Sequence, residues 1–348
     1  MSRRFGSIKL LVTALSPFLV LGQAFCNSLS LTAAGTTDGF TLSTFATTNP
    51  GNTGCCGGPF GIAVASTGNI IVGTGGGSQY VFADINGQTT GSALFTTTSS
   101  AGTAAYATAG GQAYGAQGGH FVAFKSDGTV DHVLTGVAAT PYLGMWGDPV
   151  NGHIIATSYS GFIDINPLGN GGLGSFRTIN GSLFGDGVSV SADGQTAYVE
   201  RFDQIIGYNI TTGAQTFDSG FFAGLSNPDG SGVISSTNSL NGDIIVNFNG
   251  NSINTGGIGL LDPSTSAFSV IASGGTRGDY VSPDTNNGTL FLDYGDTVER
   301  LSCGPNCSIG GPPPPPSPSP VPEPGTFALL GTGLTWLGAM ARRQLMKA

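Results

Sequence analysis

Three carboxylates stand at matching places in this sequence. Asp186 in "GDGVSV", Asp229 in "PDGSGV" and Asp279 in "GDYVSP" each come just before an apolar run. Carboxylates converging from separate segments supply hard oxygen ligands, and the ion they favour is Ca2+. Asp in that place also caps a turn by bonding its own backbone, so both readings stand. The histidines His120, His132 and His153 fall at different levels of the pattern and suggest ordinary surface positions rather than a shared site. There is no G-x-S-x-G and no Ser/His/Asp set. "GTGGG" (Gly73 to Gly77) has neither the Lys-Ser/Thr nor the helix that a phosphate loop requires. Phe60, Tyr142, Trp146, Phe184 and Tyr280 lie near the same strand starts, where aromatic rings either stack on sugars or pack against one another.

The elements that would position these residues repeat. "PFGIAVASTGNIIVGT", "YLGMWGDPVNGHIIATS" and "GDGVSVSADGQTAYVE" each read as a strand, a tight turn and a second strand. Third strands follow in "YVFADIN", "GFIDINP", "IIGYNITTG" and "IGLLDPSTS", and fourth strands in "GSALFTT", "GSFRTIN", "AQTFDSG" and "SAFSVIASG". Starts fall near 59, 103, 142, 185, 228 and 278, a period that matches a four-stranded propeller blade. The sixth unit lacks its outer strand. "GFTLSTFATT" (Gly39 to Thr48) reads like the other fourth strands and would close the ring from the N-terminal side, removing an open edge. The expected fold is therefore an all-β, six-bladed β-propeller, with seven blades as the alternative.

The pattern P-F-G-I-A-V-x-x-x-G-N-I-I-V resembles NHL-type and gluconolactonase/regucalcin-like propellers. That resemblance implies a metal at the channel mouth, held in those families by a glutamate and asparagines. Glu200 and Glu299 do not stand at the equivalent place in the repeat, so Asp186, Asp229 and Asp279 are the metal candidates.

Five cysteines, Cys26, Cys55, Cys56, Cys303 and Cys307, follow the leader. In a closed ring Cys55–Cys56 and Cys303 are neighbours. At least one of Cys55 and Cys56 is expected to pair with Cys303 or Cys307, where closing so long a loop would contribute about 4–5 kcal/mol in the entropic account. A local Cys303–Cys307 loop is the competing pairing.

The two ends speak of destination. Arg3, Arg4 and Lys9, an apolar run from Leu10 to Leu21, and small Gly22 and Ala24 make a secretory signal peptide over 1–24. The propeller is expected over 25–310 and a Pro-rich linker over 311–320. Val321, Pro322, Glu323 and Pro324, an uncharged apolar run over about 326–341, and then Arg342 and Arg343 resemble the PEP-CTERM sorting domain over 321–348. The resemblance implies an exosortase as processing partner, after signal peptidase and the secretion machinery. It implies transient anchoring in the inner membrane by a transmembrane helix, then the cell surface or extracellular matrix.

Charge sets limits. Six of the 11 Lys and Arg lie in the two ends, with one of the 20 acidic residues, so the body carries a formal charge of −14. No basic face exists to neutralise phosphates, which excludes nucleic acid as partner. With no convincing acid/base pair, the first expectation is an exported, non-catalytic binding or structural module that meets exopolysaccharide or surface proteins. An extracellular metal-dependent lactonase or lyase is the second.

Overall fold

The computed structural model describes residues 29–50, 58–98, 105–138, 142–159, 161–182, 185–221, 225–250, 256–275 and 280–311. Six antiparallel sheets stand around one axis, and their innermost strands contact one another in a closed ring. Those innermost strands are Pro59–Val64, Tyr106–Ala109, Tyr142–Gly147, Val188–Val190, Pro228–Ser236 and Val281–Asp284. Blades one to six follow in that order, so the fold is the expected six-bladed propeller.

Each blade is a meander. Blade three runs Tyr142–Gly147, Ile154–Ser158, Gly161–Asn166 and Ser175–Asn180 from axis to rim. Burial follows position: Ile154–Ser158 is buried throughout, whereas no residue of Ser175–Asn180 is. The runs of Ile, Val and Phe in second and third strands are buried on both faces between neighbouring blades, where such continuous apolar runs belong. Two large clusters result, one around Trp146, Phe162 and Ile245, the other around Phe45, Ile62 and Phe121.

Ring closure comes from the N-terminal side. Thr41–Thr47 pairs antiparallel with Thr297–Ser302, Leu42 opposite Leu301, as the outer strand of blade six. Just before it, Ser30–Leu31 pairs with the rim strand of blade five. The short helix Ala33–Thr37, capped by the Thr32 side chain on the Gly35 N–H, carries the chain from blade five to blade six. Gln88–Thr89, from blade one, adds to Thr41–Thr47 in parallel.

Tyr280 crosses the axis. Its hydroxyl reaches the carbonyl oxygens of Tyr106 in blade two and Met145 in blade three, the blade opposite its own. Below it, the C-terminal segment turns back after blade six. Cys307–Ile309 pairs with the end of the innermost strand of blade five, Ile309 opposite Ile234, and Gly310 donates its N–H to the Val233 carbonyl. The axis is thus filled at two levels.

The cysteines follow this return. Cys303 and Cys307 are joined to each other, Cα atoms 5.6 Å apart. That local loop replaces the expected clamp from Cys303 or Cys307 to blade one. The turn needed to bring 307 back onto blade five already holds the two sulfurs together. Cys55 and Cys56, with Cys26, lie outside the described residues.

Glycines let the innermost strands approach. A Cβ on Gly144 would stand 2.6 Å from the Gly187 Cα, backbone that cannot swing aside. Gly187 in turn lies against Gly230. Gly144→Ala is therefore expected to cost about 1–3 kcal/mol as overpacking, read as a lowered thermal midpoint. An unchanged midpoint would mean the strands are not in close contact there.

Candidate functional site

The innermost strands all begin at one mouth, here the upper, and end at the lower. Asp186 and Asp229 lie at the upper mouth on adjacent blades, each preceding a glycine of the contact just described. Asp229 is buried in Pro228–Ser236 and accepts a 2.7 Å bond from Asn249 Nδ2. Asp186 is partly buried, its N–H bonded to the Glu200 carbonyl at 2.9 Å. Asp279 lies outside the described residues, as does Phe184. Among the described residues no group of three His, Cys, Asp or Glu is placed to hold a metal ion.

Sequence reasoning set Glu200 aside because of its place in the repeat. It is the last residue but one of the second strand of blade four, Thr196–Arg201, yet its carboxylate reaches inward beneath Gly187, where any Cβ would collide with it. Glu200 is fully buried, and neither carboxyl oxygen has a hydrogen-bond partner among the described residues. Burial pushes its pKa up to about 8, the negative charge of Asp186 adds to the rise, and the nearby Ser231 side chain offsets part of it. Ser231 itself is held 2.6 Å from Ser189, Oγ to Oγ. Burial thus favours the uncharged acid form of Glu200 at neutral pH. The signal in the sequence was Gly187, a residue whose missing side chain makes room for a neighbour.

The aromatic residues at strand starts are mostly structural. Tyr142, Trp146 and Tyr280 are buried, and only Phe60 is partly accessible. Of the histidines, His153 Nδ1 lies 2.8 Å from Asp164, which also takes Arg177 at 2.8 Å. Arg177 continues to the Ile210 carbonyl at 2.9 Å, tying blade three to blade four. His132 pairs at the surface with Asp131, 2.8 Å away.

The lower mouth holds a pocket of about 780 Å³. Its walls are the inner hairpin turns of blades two, three and six and the returning segment from Cys307 to Gly311. Asp148 stands in this wall, almost wholly buried. Its Oδ1 accepts the Val150 N–H at 2.8 Å, while Oδ2 has no partner among the described residues. Burial raises its pKa, and the backbone bonds from Val150 and Asn151 hold that rise back.

Fold and ends together define an exported six-bladed β-propeller with a C-terminal sorting tail. Residues 320–344 match the PEP-CTERM protein-sorting motif. The motif marks the chain as an exported, membrane-anchored precursor and implies processing by an exosortase. No curated protein matches the chain. Among solved structures, a gluconolactonase from Xanthomonas campestris is similar at 16% identity and a TM-score of 0.55, over 80% of this chain and 95% of its own. A second structure, described as a putative gluconolactonase, has 10% identity and a TM-score of 0.55, over 82% of this chain and 99% of its own. An auxiliary nutrient binding protein from Bacteroides thetaiotaomicron has 12% identity and a TM-score of 0.51, over 76% of each chain. At these identities the likeness is one of fold. Among the described residues no helix is long and apolar enough to cross a membrane, and 326–341 lies outside them, with Val321 to Pro324, Arg342 and Arg343.

Proposed function

We propose that this protein is an exported propeller that binds a partner at the cell surface or in the extracellular matrix, without catalysis. The observation that carries this reading is the filled axis. Tyr280 spans from blade six to blades two and three, and the segment from Cys307 to Gly310 lines the innermost strand of blade five. A substrate has no path along the channel, so recognition falls to the two faces. The signal peptide over 1–24, the linker over 311–320 and the sorting domain over 321–348 divide the chain into leader, tether and address.

In an exosortase-carrying host the mature protein is expected to end near Glu323. Intact mass measurement of the surface fraction checks this, and Glu323→Ala should accumulate in the inner membrane. Full-length chains ending at Ala348 in the surface fraction would overturn the sorting half of the proposal.

Glu200 favours a second reading. A buried acid beside Asp186 at the upper mouth, on a fold similar to that of a gluconolactonase, suits a lactonase or lyase in which a cation such as Ca2+ could take the place of its proton. Calcium titration followed by a lactone and lyase substrate panel separates the two. Saturable Ca2+ binding with turnover lost in Glu200→Gln would replace the first reading by the second.

A further inference from the structure

Exposed apolar side chains in the turns differ between the two mouths, while Phe95 and Phe176, each 47% exposed, lie on the rim strands of blades one and three. The upper mouth carries rings: Tyr159, Phe202 and Phe221 are 69, 65 and 72% exposed. Tyr159 lies in the outer hairpin of blade three, Phe202 in that of blade four, and Phe221 in the link from blade four to blade five. The turns of the lower mouth carry aliphatic side chains instead, Ile85, Val150, Leu168 and Leu173.

Phe202 stands out twice. Arg201 pairs with Gln204, which leaves the two-residue turn Phe202–Asp203. Phe202 takes φ = 54°, in the left-handed region where glycine or asparagine is the ordinary choice. A bulky residue held there is strained, and the fold leaves most of its ring in water. Neither property favours folding. Both are what a presented ring requires. The Arg201 guanidinium lies 5.7 Å from the ring centroid.

Described chain ends at Gly311, beside Ser308 in the wall of the lower-mouth pocket. Tyr280 closes the axis above, and Gly310 turns the chain with φ = 76°. Gly310 and Gly311 thus lie at the lower mouth, opposite the face that carries the three rings.

We propose that the upper mouth over blades three and four docks a neutral polysaccharide, with Tyr159, Phe202 and Phe221 as stacking platforms. This rests on the exported, binding reading above. Exposed aromatic rings are the side chains on which the apolar faces of pyranose units stack. Asn180 and Ser182, accessible polar side chains at the upper end of blade three with Ser182 Oγ donating to Asn180 Oδ1 at 3.2 Å, offer further bonds to sugar hydroxyls. Asp203 and Asp218 on blade four, in a body of charge −14, repel a polyanion.

The test is affinity electrophoresis of the exported, processed protein in native gels containing hydroxyethyl cellulose, dextran or galactomannan, with alginate as the acidic control. Retardation is expected in at least one neutral gel and not in alginate. Each single substitution, Tyr159→Ala, Phe202→Gly or Phe221→Ala, should weaken binding roughly two- to tenfold. The triple variant should run free, with an unchanged melting temperature. Phe202→Gly should melt at or above the parent because it relieves the turn. No retardation in any neutral gel, retardation in alginate alone, or equal retardation of the triple variant would each overturn the proposal. If a surface protein is retained by the parent and the triple variant alike, the rings are not the docking surface. Export is scored separately by fractionation, so a correctly exported chain that ignores these glycans sinks this inference and leaves the sorting half of the proposed function standing.

Discussion

Arg300→Met is expected to destabilise the propeller by about 3–5 kcal/mol, the cost of stranding buried charge. Arg300 lies on the third strand of blade six and is itself buried. It meets Asp84 of blade one, Asp284 of its own blade at 3.0 Å, and Asn86 Oδ1 at 2.8 Å. Its guanidinium also sits over two rings, 4.8 Å from the Phe45 centroid and 4.9 Å from that of Phe291. Asp84 goes on to accept from Asn286 at 2.9 Å, and Asn286 bonds the Gly68 carbonyl at 2.8 Å. Every one of these groups stands at the seam where blade six meets blade one. Removing the cation leaves two carboxylates close together with neutral hydrogen-bond donors but no positive charge between them. Chemical denaturation of the single variant measures the loss. A second variant adding Asp84→Asn should recover part of it, because the remaining charge is then smaller. A loss within about 0.5 kcal/mol, typical of a surface substitution, would show that the seam does not depend on this ion cluster.

Glu200→Gln is expected to flatten the dependence of stability on pH. The folded protein holds the Glu200 proton up to about 8, against an ordinary value of 4.5. Between those values unfolding releases a proton, so stability falls as pH rises from about 4.5 to about 8 and levels off beyond. Asp284 and Asp243, each pushed up to about 6, contribute losses of the same sign at the acid end of this range. Burial is the leading cause for both. Above pH 6 the remaining slope belongs mainly to Glu200. At pH 5 the glutamine variant should match the parent to within about 1 kcal/mol. At pH 8 it should be the more stable, by on the order of 3 kcal/mol. Urea midpoints at several pH values decide it, and a slope above pH 6 that survives in Glu200→Gln would show that Glu200 is not the group responsible.

Much of the architecture is legible in the chain because local rules agree with the global one. Turns such as Thr67-Gly68-Asn69 and Asp193-Gly194 join short apolar runs, and the period of those runs is the width of a blade. The outer strand of blade six could be assigned to Thr41–Thr47 because an open ring leaves one blade short and one early segment spare. The sorting motif at 320–344 is legible for a different reason: its Pro-Glu-Pro, apolar run and basic end stand consecutively in the chain, so the match needs no fold.

Other features exist only after the ring has closed. Arg300 and Asp84 are 216 residues apart, and no pattern along the chain announces their meeting. Glu200 looks like the polar end of a strand until Gly187 leaves space beneath it. Of the two cysteine pairings open in the sequence, the local one forms, because long-range loop entropy says which crosslink would be worth most, not which sulfurs meet. The return of Cys307–Ile309 onto blade five decided that locally. Tyr280, read as one aromatic among several at strand starts, became the residue that closes the axis only when blades six and three were set opposite each other. The sequence by itself determined the repeat, the closure and the sorting motif, because these follow from periodicity, edge pairing and a linear signal. The tertiary structure alone decided which charges are buried together, where the channel is blocked and which rings face outward, because those depend on distances between residues that the chain keeps far apart.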